Sequence, residues 1–271
     1  MTATATSRRA RIAAVMVVAA AVMSGCSSDG KGTPAFTVQP GNSSGSTASG
    51  TPSGTAGATP GETSGSTASG SAPAAPGATA SSWKVFADPA KNVSFDLPDE
   101  WIAQTVAPDQ GTLPGALKIE VKKADGTYLA TLQTGLPEAS PAKCPDSARK
   151  PYVVVSSVPV DLPHVGGEGT IEPHVVFRVV QGYKFFGSYG ITNLVGGADG
   201  KSCGLRNVVR GPQGTGNYSF GDIGILKAFA TDEKVAPAKT FNTLDQAAKY
   251  VNEGSEFANV QRMLLSLKIK N

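Results

Sequence analysis

The sequence predicts an α+β domain in which an antiparallel β-sheet is flanked by helices. Three observations point there. From residue 83 to about residue 226, short apolar–polar alternations are separated by Gly, Pro, Asn and Asp, the pattern of half-buried strands joined by turns. Near residue 243 the apolar period changes to steps of three and four, which is helical. The strands come as one run and the helices as another, which argues against a parallel βαβ arrangement.

Taken in order, Trp83-Lys84-Val85 and Val93-Ser94-Phe95-Asp96-Leu97 are two strands, with Asp88-Pro89-Ala90-Lys91-Asn92 turning between them. Pro98-Asp99-Glu100-Trp101 makes a second turn, after which Ile102 to Val106 continues extended. Leu117-Lys118-Ile119-Glu120-Val121 and the run from Tyr128 to Thr134 flank Ala124-Asp125-Gly126, a hairpin signal. Further strands are predicted over 152–158, 174–181, 183–192, 205–210 and 218–226, with Gly196-Gly197 and the glycines from Gly211 to Gly216 as breaks. Thr243-Leu244-Asp245-Gln246 reads as a capping box opening a helix with Leu244, Ala247, Ala248 and Val251 on one side. A second helix carries Phe257, Val260, Leu264 and Leu267 on one stripe. Both helices keep a polar opposite face, as expected if they lie on one face of the sheet.

Residues 1–82 are of a different kind. Arg8, Arg9 and Arg11 form a basic n-region, and Ile12 to Met23 is an uncharged apolar run of signal-peptide length. It is shorter than the roughly 20 residues a membrane span needs. Ser7-Arg8-Arg9 also begins a twin-arginine pattern, but a plain basic n-region is the better reading. Met23-Ser24-Gly25-Cys26 then resembles the lipobox of bacterial lipoproteins, with Met where Leu is usual. On that reading residues 1–25 are a lipoprotein signal peptide and Cys26 carries the lipid. Two or three acyl chains hold a protein stably where one does not. The expected location is the cell membrane, lipid-anchored on the extracytoplasmic side. From Ser27 to Ser82, 49 of 56 residues are Ser, Thr, Gly, Ala or Pro, and Ser44 to Gly50 recurs as residues 64–70. Neither copy holds an apolar residue larger than Ala, so residues 26–82 are expected to be the lipidated Cys and a disordered linker. A flexible coil of that length reaches roughly 40 Å. Asn42-Ser43-Ser44 fits an N-glycosylation sequon and is read as chance. Residues 83–271 are left for the α+β domain.

Two local patterns in that domain resemble a known family. Lys91-Asn92-Val93-Ser94-Phe95-Asp96-Leu97-Pro98-Asp99-Glu100-Trp101 resembles the opening hairpin of Mog1/PsbP-like domains. Glu256 to Leu267, with its hydrophobic stripe and Ser266 near the end, resembles their closing helix. Actinobacterial lipoproteins of the LpqN-like kind combine a lipobox, a Ser/Thr/Gly linker and such a domain. The resemblance covers the two ends of residues 83–271 and not the middle. It implies an antiparallel sheet flanked by helices that serves as a non-catalytic binding or assembly module, and it carries over no catalytic residue.

Once Cys26 is assigned to lipid, Cys144 and Cys203 remain, an even pair in an exported domain. Oxidising surroundings favour a disulfide between them. Closing a loop of about 60 residues stabilises a fold by about 4 kcal/mol on the chain-entropy model. The rival, a redox or metal pair, lacks a CxxC spacing. His164, Glu168, Glu172 and His174 lie around Gly166-Gly167, and imidazoles with carboxylates are a zinc donor set. His164 and Glu168 would face together only on a helix, which Pro163, Gly166, Gly167, Gly169 and Pro173 exclude. Glu172 and His174 share a strand face at best, so a solvated loop is the reading and no cofactor is expected.

Gly187-Ser188-Tyr189-Gly190 lacks the spacing of a nucleophile elbow, and no GK[ST] follows Gly211, Gly214 and Gly216. Asp99-Glu100 and Asp232-Glu233 read as solvated turn residues, with a glycosidase pair left open. Tyr183, Phe185, Phe186 and Tyr189 form an aromatic cluster in which alternation puts Tyr183 and Phe185 on one face and Phe186 on the other. They either fill the sheet–helix core or line an apolar groove for a lipid, peptide or glycan. The formal charge of +3 over 271 residues belongs wholly to Arg8, Arg9 and Arg11; from Cys26 onward basic and acidic side chains balance, so nucleic acid is excluded as a partner. The expected function is therefore a non-catalytic envelope module that binds an envelope protein, lipid or glycan. The alternative is an envelope hydrolase acting on a lipid, peptide or glycan.

Overall fold

The structure, a computed structural model, describes residues 77–90, 92–138 and 144–270. The predicted signal peptide, Cys26 and residues 27–76 of the predicted linker lie outside the described residues. The domain's hydrogen bonds begin earlier than Trp83: Gly77 N–H donates to Asn252 O at 3.2 Å and Ala80 N–H to Asn259 Oδ1 at 2.8 Å. Residues 77–82, assigned from composition to the linker, are thus tied to the C-terminal helices.

Strands β1 (Trp83–Ala87) and β2 (Val93–Pro98) pair antiparallel from Trp83↔Pro98 to Ala87↔Ser94. The turn between them is held by Asp88, whose carboxylate accepts from Ala90 N–H at 2.9 Å and Val93 N–H at 2.5 Å. A second turn, with Trp101 N–H donating to Pro98 O at 2.9 Å, buries the Trp101 ring and leads into β3 (Ile102–Val106). β4 (Lys118–Lys122) and β5 (Tyr128–Leu136) follow as a hairpin. Its turn has the expected chemistry, with Gly126 at φ 85° and Asp125 Oδ1 accepting from Thr127 N–H at 2.8 Å.

The long strands β6 (Lys150–Pro159), β7 (Thr170–Gln181) and β8 (Phe185–Leu194) pair antiparallel in succession. After them the chain makes only short strands: β9 (Lys201–Ser202), β10 (Leu205–Arg206), β11 (Asn217–Gly221), β12 (Ile225–Leu226) and β13 (Lys239–Phe241). Helices α1 (Leu244–Glu253) and α2 (Ser255–Leu265) and the two-residue β14 (Lys268–Ile269) close the domain. The main sheet runs β3-β4-β5-β11-β8-β7-β6-β9, with β13 also on β8; β1-β2-β14 forms a second sheet and β10-β12 a ribbon. The paired strands are antiparallel throughout, so the α+β class with an antiparallel sheet holds.

β11 joins the two halves of the main sheet and meets β8 at Gly221↔Gly190. Both positions need glycine: a Cβ on Gly221 would lie 2.5 Å from Tyr189 O, and one on Gly190 would lie 2.7 Å from the Asn207 side chain.

One face of the sheet carries the principal core, where Phe95, Ile119, Leu132, Phe177 and Tyr189 pack against Phe257, Val260, Met263 and Leu264 of α2. Burying each such side chain contributes about 2 kcal/mol. α1 adds Ala247 and the half-buried Leu244 and Val251 to the same face. Its cap is a variant of the expected box. Thr243 Oγ1 accepts from Gln246 N–H at 3.2 Å, but the Gln246 side chain accepts from Asn242 N–H at 2.9 Å, one residue before the cap.

The opposite face is also covered. Val180 and Phe186 pack under Leu205, Leu226 and Ala238, with Phe229 and Val235 at the margin. β8 is therefore buried along almost its whole length on both faces. The predicted strands over 205–210 and 218–226 shrink accordingly, because that part of the chain serves as a loop-rich cover rather than as sheet.

Candidate functional site

A cleft lies between the segment that follows β6 and β14 near the end of the chain. Val160 N–H donates to Pro173 O at 2.9 Å and the Tyr218 hydroxyl donates to Pro163 O at 2.7 Å, which fixes residues 160–163 against the sheet. Burial pushes the Tyr218 phenol pKa up, so it stays a neutral donor at physiological pH. On the other side, Ser266 Oγ donates to Met263 O at 2.7 Å and accepts from Asp96 N–H at 2.8 Å. That hydroxyl ends α2 and sets β14 onto β2, with Lys268↔Ser94 and Ile269↔Val93 in register. Between the walls is a cavity of about 440 Å³ lined by Asp161, Leu162, Pro163, His164, Leu267, Lys268 and Ile269. Pro163 and Ile269 also border a second cavity of about 280 Å³ that includes Leu117, Thr134, Pro212, Tyr218 and Lys270. Both lie within or near the size range of ligand clefts, roughly 300–1,000 Å³.

The structure brings two of the four candidate metal ligands together. His164 Nε2 lies 3.2 Å from Glu172 Oε2, while its Nδ1 lies 2.9 Å from Leu162 O. His174 Nδ1 instead sits 2.7 Å from the Glu172 carbonyl oxygen, and Glu168 shows only its carbonyl, to Arg210 at 3.4 Å. Among the described residues no three His, Cys, Asp or Glu side chains converge. Asp99, Glu100, Asp232 and Glu233 are all exposed.

The aromatic cluster is divided between two cores, and one expectation about it is corrected. Phe185 and Tyr189 face the helices, and Phe186 faces the covering loops at 5.2 Å from Phe229 between ring centroids. Tyr183 does not share a face with Phe185. It lies in the turn before β8, 51% exposed, and its ring stands 5.3 Å from Phe186. Strand alternation does not apply at a turn. The second face therefore has no open groove at Phe186; the chain's own Leu205, Leu226 and Ala238 fill it.

Cys144 and Cys203 are joined, with Sγ atoms 2.07 Å and Cα atoms 5.8 Å apart. Their bridge links the segment before β6 to the covering loops.

A buried polar chain lies under those loops and was not anticipated. Arg178, 4% exposed on β7, donates to Arg206 O at 2.6 Å and Asn207 Oδ1 at 2.7 Å. Asn207 Nδ2 donates to Ser188 Oγ at 2.8 Å and Ile223 O at 2.8 Å, and Ser188 Oγ donates to Asp222 Oδ1 at 2.5 Å. Arg178 Nε and Asp222 Oδ2 have no hydrogen-bond partner among the described residues. Burial brings the Arg178 guanidinium down to about 10, still charged at neutral pH. Burial pushes Asp222 up to about 7, against the opposing Ser188 hydrogen bond and the Lys239 charge. The sequence signal was present: Arg178 interrupts the apolar run Val175-Val176-Phe177-Arg178-Val179-Val180.

A second charged cluster pins α2 to the sheet. Glu256 accepts from Lys123, from Lys239 at 2.7 Å and from the Tyr250 hydroxyl at 2.9 Å. Burial alone would raise the Glu256 carboxyl, but these donors together bring it down to about 2. Neither cluster opens onto the cleft, so the cleft's own chemistry rests on Asp161, His164, Lys268 and Lys270 around an apolar floor.

Comparison with protein-family models, with curated proteins and with solved structures gives no match.

Proposed function

We propose that this protein is a lipid-anchored extracytoplasmic lipoprotein whose α+β domain is a non-catalytic binding or assembly module of the cell envelope. The observation that carries the reading is the Cys144–Cys203 bridge. Of three cysteines in the chain, it leaves Cys26, behind the basic and apolar N-terminal run, as the one thiol to be lipidated. A disulfide also suits an oxidising compartment outside the cytoplasm. A β1–β2 hairpin and a closing helix packed on one antiparallel sheet support the Mog1/PsbP-like reading of the domain.

The cleft between residues 161–164 and β14 is the binding face on this reading. Its polar groups favour recognition over hydrolysis. Asp161 is the single carboxylate in its lining among the described residues, and both nitrogens of His164 are engaged, by Leu162 O and by Glu172. The partner is an envelope protein, lipid or glycan held close to the membrane. In-cell photocrosslinking tests this on the full chain. A photoreactive residue at exposed Lys268 gives a discrete adduct, whereas one at exposed Tyr183 gives none. The absence of any adduct from Lys268 overturns the assignment of the cleft.

A further inference from the structure

Resting on the reading of the cleft as the binding face, we infer that β14 is an open docking edge for strand addition by an extended peptide that alternates acidic and apolar side chains. β14 ends the β1-β2-β14 sheet, so one of its edges faces away from β2. Lys270 N–H donates to Asn92 O at 2.8 Å, on the β2 side. In an antiparallel ladder the backbone groups of successive residues point alternately to the two sides. Lys268 and Lys270 are therefore turned to β2, and the N–H and C=O of Ile269 to the cleft. The partner residue Val93 obeys the same alternation, exchanging its bonds with Asp88 on the far side. No backbone hydrogen bond engages Ile269 from the cleft side among the described residues.

An unmet donor and acceptor side by side on a strand edge are matched by the main chain of another strand, which a lipid or a glycan does not reproduce. Side chains on β14 select which strand. Ile269 points inward and is half-buried against the core, with Leu162 and Pro163 across the cavity, so inward positions of an added strand meet apolar surface. Lys268 and Lys270 point outward, both exposed, and neither makes an ion pair among the described residues. Lysines on an open edge discourage pairing with neutral or basic strands. The same charges attract carboxylates directly opposite. Asp161, on the facing wall, restricts the acidic positions to the lysine side.

The test uses the full-length protein in detergent and a fluorescein-labelled, end-blocked Glu-Val-Glu-Val-Glu-Val peptide, read by anisotropy. Saturable binding is expected, weakened at least about tenfold by the exposed charge reversals Lys268→Glu and Lys270→Glu together. Methylation of alternate peptide nitrogens, which leaves the protein untouched, is expected to abolish binding. Equal binding of the N-methylated peptide, or affinity unchanged by the double reversal, overturns strand addition. The two readings fail separately. Peptide binding absent while crosslinks from Lys268 persist removes strand addition and keeps the binding module. Crosslinks absent from Lys268 remove the binding face, and strand addition with it.

Discussion

Replacing Asp222 by Asn removes a carboxyl that the fold holds in an unfavourable place. Asp222 is 2% exposed; its Oδ1 accepts from Ser188 and its Oδ2 has no hydrogen-bond partner among the described residues. Burial shifts it from 3.8 to about 7, against the Ser188 bond, neighbouring backbone amides and the Lys239 charge. A shift of that size corresponds to about 4 kcal/mol. Because the folded-state value is raised, the native protein keeps a proton that the unfolded chain has released between pH 3.8 and about 7. The native state binds more protons over that window, so the contribution of Asp222 to stability falls as pH rises and levels off above about 7. Asn keeps an acceptor for Ser188 and cannot ionise. Asp222→Asn is thus expected to stabilise the protein at pH 8 by up to about 4 kcal/mol. At pH 4 it should be near neutral or cost about 1 kcal/mol for altered hydrogen bonding. Urea unfolding of the full chain from pH 4 to 8, followed by the fluorescence of Trp83 and Trp101, reads the difference between variant and wild type, so other titrating groups cancel. A difference that does not change with pH, or that grows more destabilising towards pH 8, refutes the account of the buried chain.

Three further outcomes follow from the geometry. Glu256 works in the opposite direction: its folded value of about 2 is depressed, so its contribution is present above the ordinary carboxylate range and fades as pH falls through about 2. Glu256→Gln is expected to cost about 2 kcal/mol at pH 7 and much less near pH 2, as read by thermal unfolding. Non-reducing peptide mapping should recover Cys144 linked to Cys203, and a Cys144→Ala, Cys203→Ala protein should lose about 4 kcal/mol in urea unfolding. Phe186→Ala should cost about 3–5 kcal/mol as a core deletion. Tyr183→Ala, half exposed in its turn, should cost under about 1 kcal/mol. Comparable losses at the two positions would contradict the division of the aromatic cluster.

Local chemistry was legible in the sequence and long-range coverage was not. Ala124-Asp125-Gly126, Asp88 and Pro98 to Trp101 turn as their residue types demand, because each turn is closed by bonds within a few residues. The stripe of Phe257, Val260 and Leu264 likewise reads directly as the buried side of α2. β8 does not read as a doubly buried strand, because Leu205, Leu226 and Ala238, which cover its second face, come from two-residue strands and loops without a period. The same cover hides the partners of Arg178: Arg206 and Asn207 lie 28 and 29 residues away in the chain. Residues 161–164 and 267–269 meet across the cleft although about a hundred residues separate them, and nothing in either stretch signals the other. The candidate His and Glu residues were near one another in sequence, but turns and a bulge between Thr170 and His174 leave only His164 and Glu172 in side-chain contact.

The lipid anchor is the premise on which the membrane-proximal binding role stands, and one labelling experiment reaches it directly. The full-length protein and its Cys26→Ala variant are expressed in cells fed an alkyne-tagged fatty acid, and both are fractionated into membrane and soluble pools. Tagged protein is expected in the membrane pool for the wild type, with both the tag and the membrane association lost in Cys26→Ala. A membrane fraction and label unchanged by Cys26→Ala would contradict the lipid anchor.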